Sequence, residues 1–288
     1  MILFMLQVIF KPLKYLSLHN IHRCGNLIGQ LVFLLSKQTK QLARNNLKQS
    51  KLIKQEADLN KISKTSAAES GKAILESLAM WQKSEVELDT WVRSCSNWYL
   101  IEEALNKGKG LIFLTPHLGC FEITSIYYGS KHPITVLYRL PKLKFLQKLI
   151  EQGRQRTGVT LAEANASGVR KLMQALKRGE AIGILPDQIP AEGDGEWADF
   201  FGKPAYTMTL ACKLAAKTGA SVIMAFGERL ANGEGYNIHL TKVDSINTTT
   251  LLNQAIEHQI AQCPSQYLWQ YDRYKARRHS LNKARSPE

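Results

Sequence analysis

From Gly110 onward, the hydrophobic positions alternate between short continuous apolar runs and longer segments with helical spacing. A run of four or five apolar residues bounded by glycine or proline is typical of a strand buried in a parallel sheet, whereas a period of 3.6 indicates an amphipathic helix. The predicted strands are residues 111–114, 134–138, 181–185 and 222–226, and the predicted helices are residues 121–128, 144–155, 169–177 and 209–218. This alternation predicts an α/β fold with a mostly parallel central sheet flanked by helices, and with functional groups at the carboxyl ends of the strands.

The N-terminal region carries two apolar stretches. Residues 1–10 are followed by Lys11, Pro12 and Lys14, and residues 27–35 form the second stretch. Neither reaches the roughly 18–20 uninterrupted apolar residues that a membrane-spanning helix needs. The pattern predicts a hydrophobic, amphipathic helical anchor that lies in the membrane interface, where lysines meet lipid phosphates. The alternative is a pair of helices packed on the rest of the chain.

Composition divides the chain further. The segments are an apolar, membrane-associating region at 1–36, a mostly helical region at 37–105, the strand–helix alternation at 106–272 and a basic tail at 273–288. Within the helical region, Thr65, Ser66 and Glu69 have the spacing of a capping box, which predicts that a helix begins there.

The charge balance is the unusual feature of the composition. The 288 residues carry a formal net charge of +14, which predicts an acidic partner such as nucleic acid, an anionic membrane, or a phosphorylated or acidic substrate. The five cysteines are scattered without the spacing of a zinc site or a disulfide framework, which favours the cytoplasmic side of a cell. Cys120 is better explained as a small buried apolar residue than as a nucleophile.

One histidine falls at the junction of a predicted strand and a predicted helix. Pro116, which has no N–H to continue a ladder, is followed by His117, and Glu122 comes five positions later. Residues five apart in a regular helix are rotated by about 140°, so this pair can meet only if His117 lies in the loop before the helix. A carboxylate there would fix one imidazole tautomer and leave the other ring nitrogen free to take a proton from a hydroxyl. The alternative is a histidine near a helix cap and a solvated glutamate.

Other polar residues follow the remaining predicted strands. Arg139 follows the second strand, and Arg154 and Arg156 lie between glycines at the end of the next helix. Guanidinium groups near strand ends suit phosphate or carboxylate, although single arginines are often ion-paired or solvated. Asp187 and Gln188 follow the third strand, where Asp187 is suited to bind a hydroxyl, to orient an arginine, or to cap a turn.

Two aromatic stretches and several absent motifs complete the picture. Phe200 and Phe201 are suited to line a groove for an acyl chain or to pack under a loop, and residues 264–271 are compatible with RNA stacking or membrane anchoring. The sequence contains no Gly-x-Ser-x-Gly elbow, P-loop, dinucleotide fingerprint or His-Glu-x-x-His motif. The enzyme classes that depend on those motifs are therefore disfavoured.

Taken in order, these motifs resemble the lysophospholipid acyltransferase superfamily and, within it, the late acyltransferases of lipid A biosynthesis. The elements that carry the resemblance are His117-x₄-Glu122, Tyr138-Arg139 with its proline, Gly153-Arg154-x-Arg156-x-Gly158, Pro186-Asp187-Gln188, Phe200-Phe201-Gly202-x-Pro204 and Pro264-x-Gln266-Tyr267-x-Trp269 with the basic tail. The resemblance covers almost the whole chain. It implies a glycerolipid acyltransferase-like fold in which residues 37–288 form the acyltransferase domain.

The resemblance also implies a reaction. An acyl chain would pass from an acyl carrier protein thioester to a hydroxyl of a lipid A precursor, at the cytoplasmic face of the inner membrane. His117 would be the general base and Glu122 the carboxylate that orients and charges it, without a metal or another cofactor. Arg139 would hold phosphate or help to stabilise the oxyanion. The further substrate-binding residues would be Arg154, Arg156, Asp187 and Gln188.

The implied partners are the acyl carrier protein, a phosphorylated glycolipid acceptor and an anionic membrane, with no nucleic acid. One alternative keeps the chemistry and changes the acceptor to a lysophospholipid or another glycolipid. A second is a basic RNA- or membrane-binding protein without catalysis, which gives no reason for His117 and Glu122 to stand at a strand–helix junction.

Overall fold

The computed structural model describes residues 10–275, apart from residues 142, 143 and 157, and only the backbone of residues 144–146 and 149. The expectations for residues 1–9 and for the tail beyond residue 275 lie outside the described residues.

Helices dominate the N-terminal part of the described chain. After a 3₁₀ turn at Lys11–Tyr15 come α1 (Leu18–Leu35), α2 (Lys37–Ser50), α3 (Glu56–Met80) and the short α4 (Glu85–Asp89). Ser17 and Ser36 begin α1 and α2, because each side-chain oxygen accepts a backbone N–H of the first turn that would otherwise lack a partner.

Helix α1 packs against α3 with direct contact between the two backbones. Gly25 and Gly29 lie one turn apart on the same face of α1 and oppose Gly71 on α3. A Cβ built on Gly29 would lie 2.7 Å from the Cα of Ala68, and one built on Gly25 would lie 2.5 Å from the Cα of Lys72. These separations leave no room for a side chain, so the close approach requires glycine at these positions.

The helix start expected at Thr65 and Glu69 is wrong, because α3 begins at Glu56 and runs through both residues. The hydroxyls of Thr65 and Ser66 form other hydrogen bonds. Thr65 donates to the carbonyl one turn earlier, and Ser66 donates to the backbone carbonyl of Tyr267 at 2.6 Å. The polar residues therefore join α3 to the C-terminal segment instead of ending a helix.

The rest of the described chain alternates strands and helices. In order, the elements are β1 (Val92–Ser96), α5 (Tyr99–Asn106), β2 (Leu111–Leu114), α6 (Phe121–Gly129), β3 (Ile134–Tyr138), α7 (Lys144–Arg154), β4 (Val159–Glu163), α8 (Ala166–Lys177), β5 (Ala181–Ile184), β6 (Gly195–Phe200), β7 (Lys203–Met208), α9 (Leu210–Thr218), β8 (Ser221–Arg229), β9 (Tyr236–Val243) and α10 (Thr249–Gln262). Each predicted strand and helix is present, with ends within about one helical turn of those expected.

Seven strands form the central sheet in the order β1-β9-β8-β2-β5-β3-β4. Neighbours are parallel except for β8 and β9, which are antiparallel, so the prediction of a mostly parallel sheet flanked by helices is confirmed. Strand β2 is central, with Ile112 and Leu114 in the core on one side of the sheet and Leu111 and Phe113 in the core on the other.

A separate antiparallel hairpin, β6–β7, lies against α10. The Asn253 side chain of α10 donates to the Asp199 carbonyl and to the Thr207 hydroxyl, each at 2.9 Å. Phe200 at the end of β6 is only 2% exposed and belongs to the core, and Phe201 packs beside it. Of the two interpretations of this aromatic pair, packing is the one that the fold adopts.

In the described part of the chain, no helix is both long enough and apolar enough to cross a bilayer. Helix α1 is instead two-faced. One face packs on α3, as the packed-helix alternative expected, and the other carries apolar side chains that are 45–77% exposed: Leu27, Ile28, Leu31, Val32, Leu34 and Leu35. The membrane anchor stays a prediction.

Candidate active site

The site forms where β2 and β5 end beside each other. These strands are parallel neighbours with Leu114 opposite Ile184, and the Thr115 N–H still donates to the Ile184 carbonyl at 2.9 Å. Pro116 then ends the pairing. The loops that leave the two strands carry His117 and Asp187, which brings residues 70 positions apart into contact.

Asp187 holds His117 in two ways. One carboxylate oxygen accepts the backbone N–H of His117 and the other faces the imidazole Nδ1, each at 2.9 Å. Burial raises the pKa of the Asp187 carboxyl, but the charge and hydrogen bonds of His117 outweigh burial, so this pKa lies below its ordinary value. The carboxylate is therefore ionised at neutral pH, which favours a proton on Nδ1.

Gln188 contacts the other side of the same ring. Its amide nitrogen lies 3.1 Å from the imidazole Nε2. A neutral imidazole has one donor and one acceptor nitrogen, so with Nδ1–H donating to Asp187, Nε2 accepts from the Gln188 amide. Nε2 is consequently the basic nitrogen of His117. The sequence predicts that Asp187 and Gln188 bind substrate. In the structure both side chains contact the imidazole of His117, and substrate binding by them stays a prediction.

Glu122 lies in the first turn of α6 and is 4% exposed. Its carboxylate accepts the Nε–H of Arg154 at 2.8 Å and a second bond from Nη2 of the same guanidinium, which lies 5.6 Å from the centre of the Trp81 ring. His117 lies outside α6, as a dyad required, but its carboxylate partner is Asp187. Glu122 is turned toward Arg154, because a buried carboxylate needs a cation. The direct pairing of Glu122 with the imidazole is thus corrected.

The two other arginines have different surroundings. Arg139 is exposed at the end of β3. Arg156 donates to the backbone carbonyls of Gly153, Lys83 and Met80. The last two lie where α3 ends, and the final carbonyls of a helix lack partners within it. Burial lowers the pKa of the Arg156 guanidinium, against the opposing effect of nearby carboxylates. Arg156 therefore fixes the end of a helix, and the phosphate binding expected of it stays a prediction.

The loop from His117 to Cys120 is docked by backbone bonds. The Gly119 N–H donates to the Gln266 carbonyl, the Cys120 N–H to the Gly227 carbonyl, and the His117 carbonyl accepts from Leu268. Gly119 has φ +58°, and a Cβ there would strike the Gly227 carbonyl oxygen. Only glycine fits this turn.

Cys120 is 1% exposed, and burial raises the pKa of its thiol well above the ordinary value. A protonated, buried thiol is a poor nucleophile. The interpretation of Cys120 as a small buried apolar residue agrees with this environment.

A mostly apolar cavity of about 540 Å³ opens over the histidine. His117, Glu122, Arg154 and Arg229 form its polar wall, and the apolar lining includes Ile74, Leu78, Trp81, Phe121, Ile150 and Leu268. A second, narrow apolar pocket lies between α6 and the sheet and shares Phe121, Glu122 and Arg154 with the first. The basic imidazole thus faces a space suited to an amphiphilic molecule.

A buried charged network, which sequence patterns did not single out, adjoins the cavity. The Arg229 guanidinium donates to both carboxylate oxygens of Glu76 and to Glu69. Glu76 also accepts from the Tyr236 hydroxyl at 2.9 Å and lies 3.0 Å from Nε2 of His22. The sequence carries only a weak signal of this network, namely Glu69 and Glu76 seven positions apart on one helix and Arg229 at the end of a strand.

The described residues contain no group of three or more His, Cys, Asp or Glu side chains placed to hold a metal ion.

A model of the bacterial lipid A biosynthesis acyltransferase family matches residues 1–276. The chain belongs to this family. It is an acyltransferase.

Several named relatives match this acyltransferase along most of their length. The lipid A biosynthesis palmitoleoyltransferase of Escherichia coli (strain K12) is 24% identical over 262 residues, which cover 88% of this chain and 84% of that protein. The lauroyltransferase of the same organism is 22% identical over 265 residues, covering 89% and 86%. A lipid A biosynthesis acyltransferase of Haemophilus influenzae is 25% identical over 216 residues, covering 72% and 68%.

Proposed function

We propose that this acyltransferase moves a fatty acyl chain from an acyl carrier protein thioester to a hydroxyl of a phosphorylated lipid A precursor. The observation that carries the proposal is the imidazole of His117, held by Asp187 in the wall of a wide apolar cavity. Family membership supplies the class of reaction, and the site supplies a base for it.

His117 is the general base of the proposed reaction. The acceptor hydroxyl displaces the Gln188 amide and gives its proton to Nε2, while Asp187 stabilises the resulting imidazolium. The hydroxyl oxygen attacks the thioester carbonyl carbon, the carbon–sulfur bond breaks, and the imidazolium returns the proton to the leaving thiolate. The products are an ester and a free thiol, without a covalent enzyme intermediate.

Glu122 and Arg154 act together beside the base. The carboxylate holds the guanidinium through Nε and Nη2, which directs Arg154 into the cavity wall. A guanidinium fixed in this way suits a phosphate of the acceptor, since a charge-assisted bond is strong in an apolar site. Arg139, exposed where β3 ends, is assigned to a second phosphate of the acceptor.

The two apolar spaces match two lipid substrates. Both meet at Phe121, Glu122 and Arg154, next to the base. The wide cavity receives the hydrocarbon part of the acceptor, and the narrow pocket behind α6 receives the acyl chain of the donor. Transfer takes place where the two meet.

We assign the enzyme to the cytoplasmic face of the inner membrane, with α1 as the helix that binds the bilayer. Its exposed apolar face includes Leu31 and Leu35. Exposed basic residues flank this face, with Arg23 earlier in α1 and Lys37 and Lys40 after the helix ends. This arrangement is typical of a helix that lies in the interface of an anionic bilayer. An amphiphilic acceptor would then reach the cavity without crossing water.

The reaction is tested with the purified full-length chain, acyl carrier protein thioester and tetra-acylated lipid A precursor, with products identified by mass spectrometry. We expect transfer by the wild type and a fall of about 10²–10⁴-fold in His117→Ala. His258→Ala is the matched control, because His258 is exposed on α10 and lines neither cavity. Transfer at the wild-type rate by His117→Ala would overturn the mechanism, and transfer to lysophospholipid alone would assign the alternative acceptor.

Membrane binding is tested separately by flotation with vesicles that contain anionic lipid. Leu31→Glu with Leu35→Glu should abolish flotation, whereas Val86→Glu, at an apolar position that is 78% exposed on α4, should leave it unchanged. Equal flotation of all three proteins would contradict the role given to α1.

A further inference from the structure

The buried network around Arg229 reaches the catalytic loop directly. Arg229 is the last residue of β8, and its side chain is 2% exposed. Besides its bonds to Glu76 and Glu69, the guanidinium donates through Nη2 to the backbone carbonyl of Gly119 at 2.7 Å. Gly119 lies two residues after His117, within the loop that presents the imidazole to the cavity.

The backbone of Arg229 holds the same region from a second side. Its N–H donates to the side-chain carbonyl of Gln266 at 2.9 Å, and its carbonyl accepts from the Gln266 amide at 3.0 Å. The main-chain carbonyl of Gln266 accepts the N–H of Gly119 at 3.1 Å. Both polar groups of the Gly119 backbone are therefore hydrogen-bonded. The carbonyl accepts from the Arg229 guanidinium, and the N–H donates to Gln266, whose side chain is bonded to the Arg229 backbone.

Two buried carboxylates hold the guanidinium in one orientation. Nε and Nη2 bind Glu76 as a fork, Nη1 lies 3.3 Å from Glu69, and Tyr236 fixes Glu76 from the other side. The planar fork leaves the second Nη2 hydrogen directed at Gly119, a geometry that an ammonium group cannot reproduce. Burial alone would raise the pKa of Glu76, but the charge of Arg229 holds it well below the usual range.

We infer that Arg229 is a positioning residue for the acyl transfer, which fixes the Gly119 carbonyl and thereby the placement of His117 against Asp187 and the substrates. The inference rests on the proposed function, because it assumes that His117 is the base. Displacement of a base by about 1 Å is sufficient to reduce a rate by roughly 100-fold, so the bond to Gly119 acts on the chemical step.

The test compares Arg229→Lys with Tyr236→Phe. Both changes remove hydrogen bonds to Glu76, but only Arg229 is bonded to Gly119. We expect Arg229→Lys to lower kcat by about 10- to 100-fold with little change in the KM for either substrate. Tyr236→Phe should keep the wild-type kcat. If the two variants have the same melting temperature, their difference in kcat cannot come from a loss of stability. Equal kcat values for the two variants and the wild type would overturn the inference.

A second variant covers the case in which Arg229→Lys does not fold. Arg229→Met combined with Glu76→Leu replaces the buried ion pair by apolar groups of similar size, which proteins often tolerate. This double variant should fold, bind substrates and still show the reduced kcat, and a wild-type kcat would contradict the inference. Absence of transfer by the wild type itself would refute the proposed function instead, so the two failures are distinguishable.

Discussion

The carboxylate of Asp187 accepts from the backbone N–H of His117 and faces its imidazole Nδ1, both at 2.9 Å. The bond to the backbone fixes the position of the loop that carries His117, and the contact with Nδ1 fixes the orientation of the imidazole ring. Exchange of the carboxylate for an amide would keep the size of the group but remove the charge and allow the wrong tautomer.

We therefore predict that Asp187→Asn lowers kcat by about 10²–10⁴-fold, because an imidazolium without its carboxylate is not stabilised. Steady-state transfer assays provide the measurement. Asp199→Asn, at an exposed carboxylate in β6, is the control and should retain the wild-type rate. An active Asp187→Asn enzyme would return the orienting role to Glu122.

The same carboxylate should affect stability in acid. The pKa of Asp187 is lower in the folded protein than its ordinary value, so the unfolded chain binds more protons as the pH falls. The stabilisation is then fully present above about pH 4 and is lost as the pH falls through the folded pKa. Urea unfolding between pH 3 and 6 should show a steeper acid loss for the wild type than for Asp187→Asn. Parallel curves would contradict this prediction.

The ion pair of Glu122 and Arg154 should behave as a coupled unit. Arg154→Met leaves the buried Glu122 carboxylate without its cation and should cost about 3–5 kcal/mol, whereas Glu122→Gln leaves a guanidinium that is 24% exposed and should cost less. The double variant should cost less than the sum of the two. Urea unfolding of the four proteins gives the coupling energy. All three variants should lose transfer, since we assign the guanidinium to the acceptor phosphate, and additive costs would mean that the pair is not coupled.

Cys120 provides a test of the nucleophile alternative. Because its thiol is buried and its pKa raised, Cys120→Ala should keep kcat within about twofold and cost about 1 kcal/mol of stability. Transfer assays and thermal unfolding measure the two quantities. A loss of transfer as large as that of His117→Ala would show that the reaction passes through the thiol.

The contact of α1 with α3 leads to a prediction about stability. Gly29→Leu places a side chain where the α3 backbone lies, and overpacking of this kind costs about 1–3 kcal/mol. Cys24→Leu, at an exposed position of the same helix, should cost little. Thermal unfolding distinguishes the two, and equal melting temperatures would mean that the helices separate without cost.

The central strands and the place of His117 at a strand end were accessible from sequence because their signals are local. Leu111–Leu114 is a continuous apolar run, and His117 follows its proline. The outer strands β1, β4 and β9 were not predicted, since they mix polar with apolar residues and only the sheet selects them. The thirteen residues beyond Lys275 and the first nine stay with their sequence-based expectations.

The partner of the base was not accessible in the same way. Glu122 is near His117 in sequence, whereas Asp187 reaches it only because β5 pairs beside β2 in the sheet. Strand order is a non-local property, so the spacing along the chain pointed to Glu122 and not to the carboxylate that contacts the imidazole in the structure. Arg156 shows the same limit: its glycine-flanked position suggested a ligand, but the end of α3 happens to lie opposite.

His117 and Asp187 lie on the loops that leave two adjacent interior strands, and this has a consequence for divergence. The strands that set their separation belong to the core of the sheet, while the side chains that line the wide cavity come largely from α3, α7 and the segment around Leu268. Selection can therefore alter which lipid is received, and of what length, by changes in those outer segments. Such changes would leave the contact between His117 and Asp187 in place.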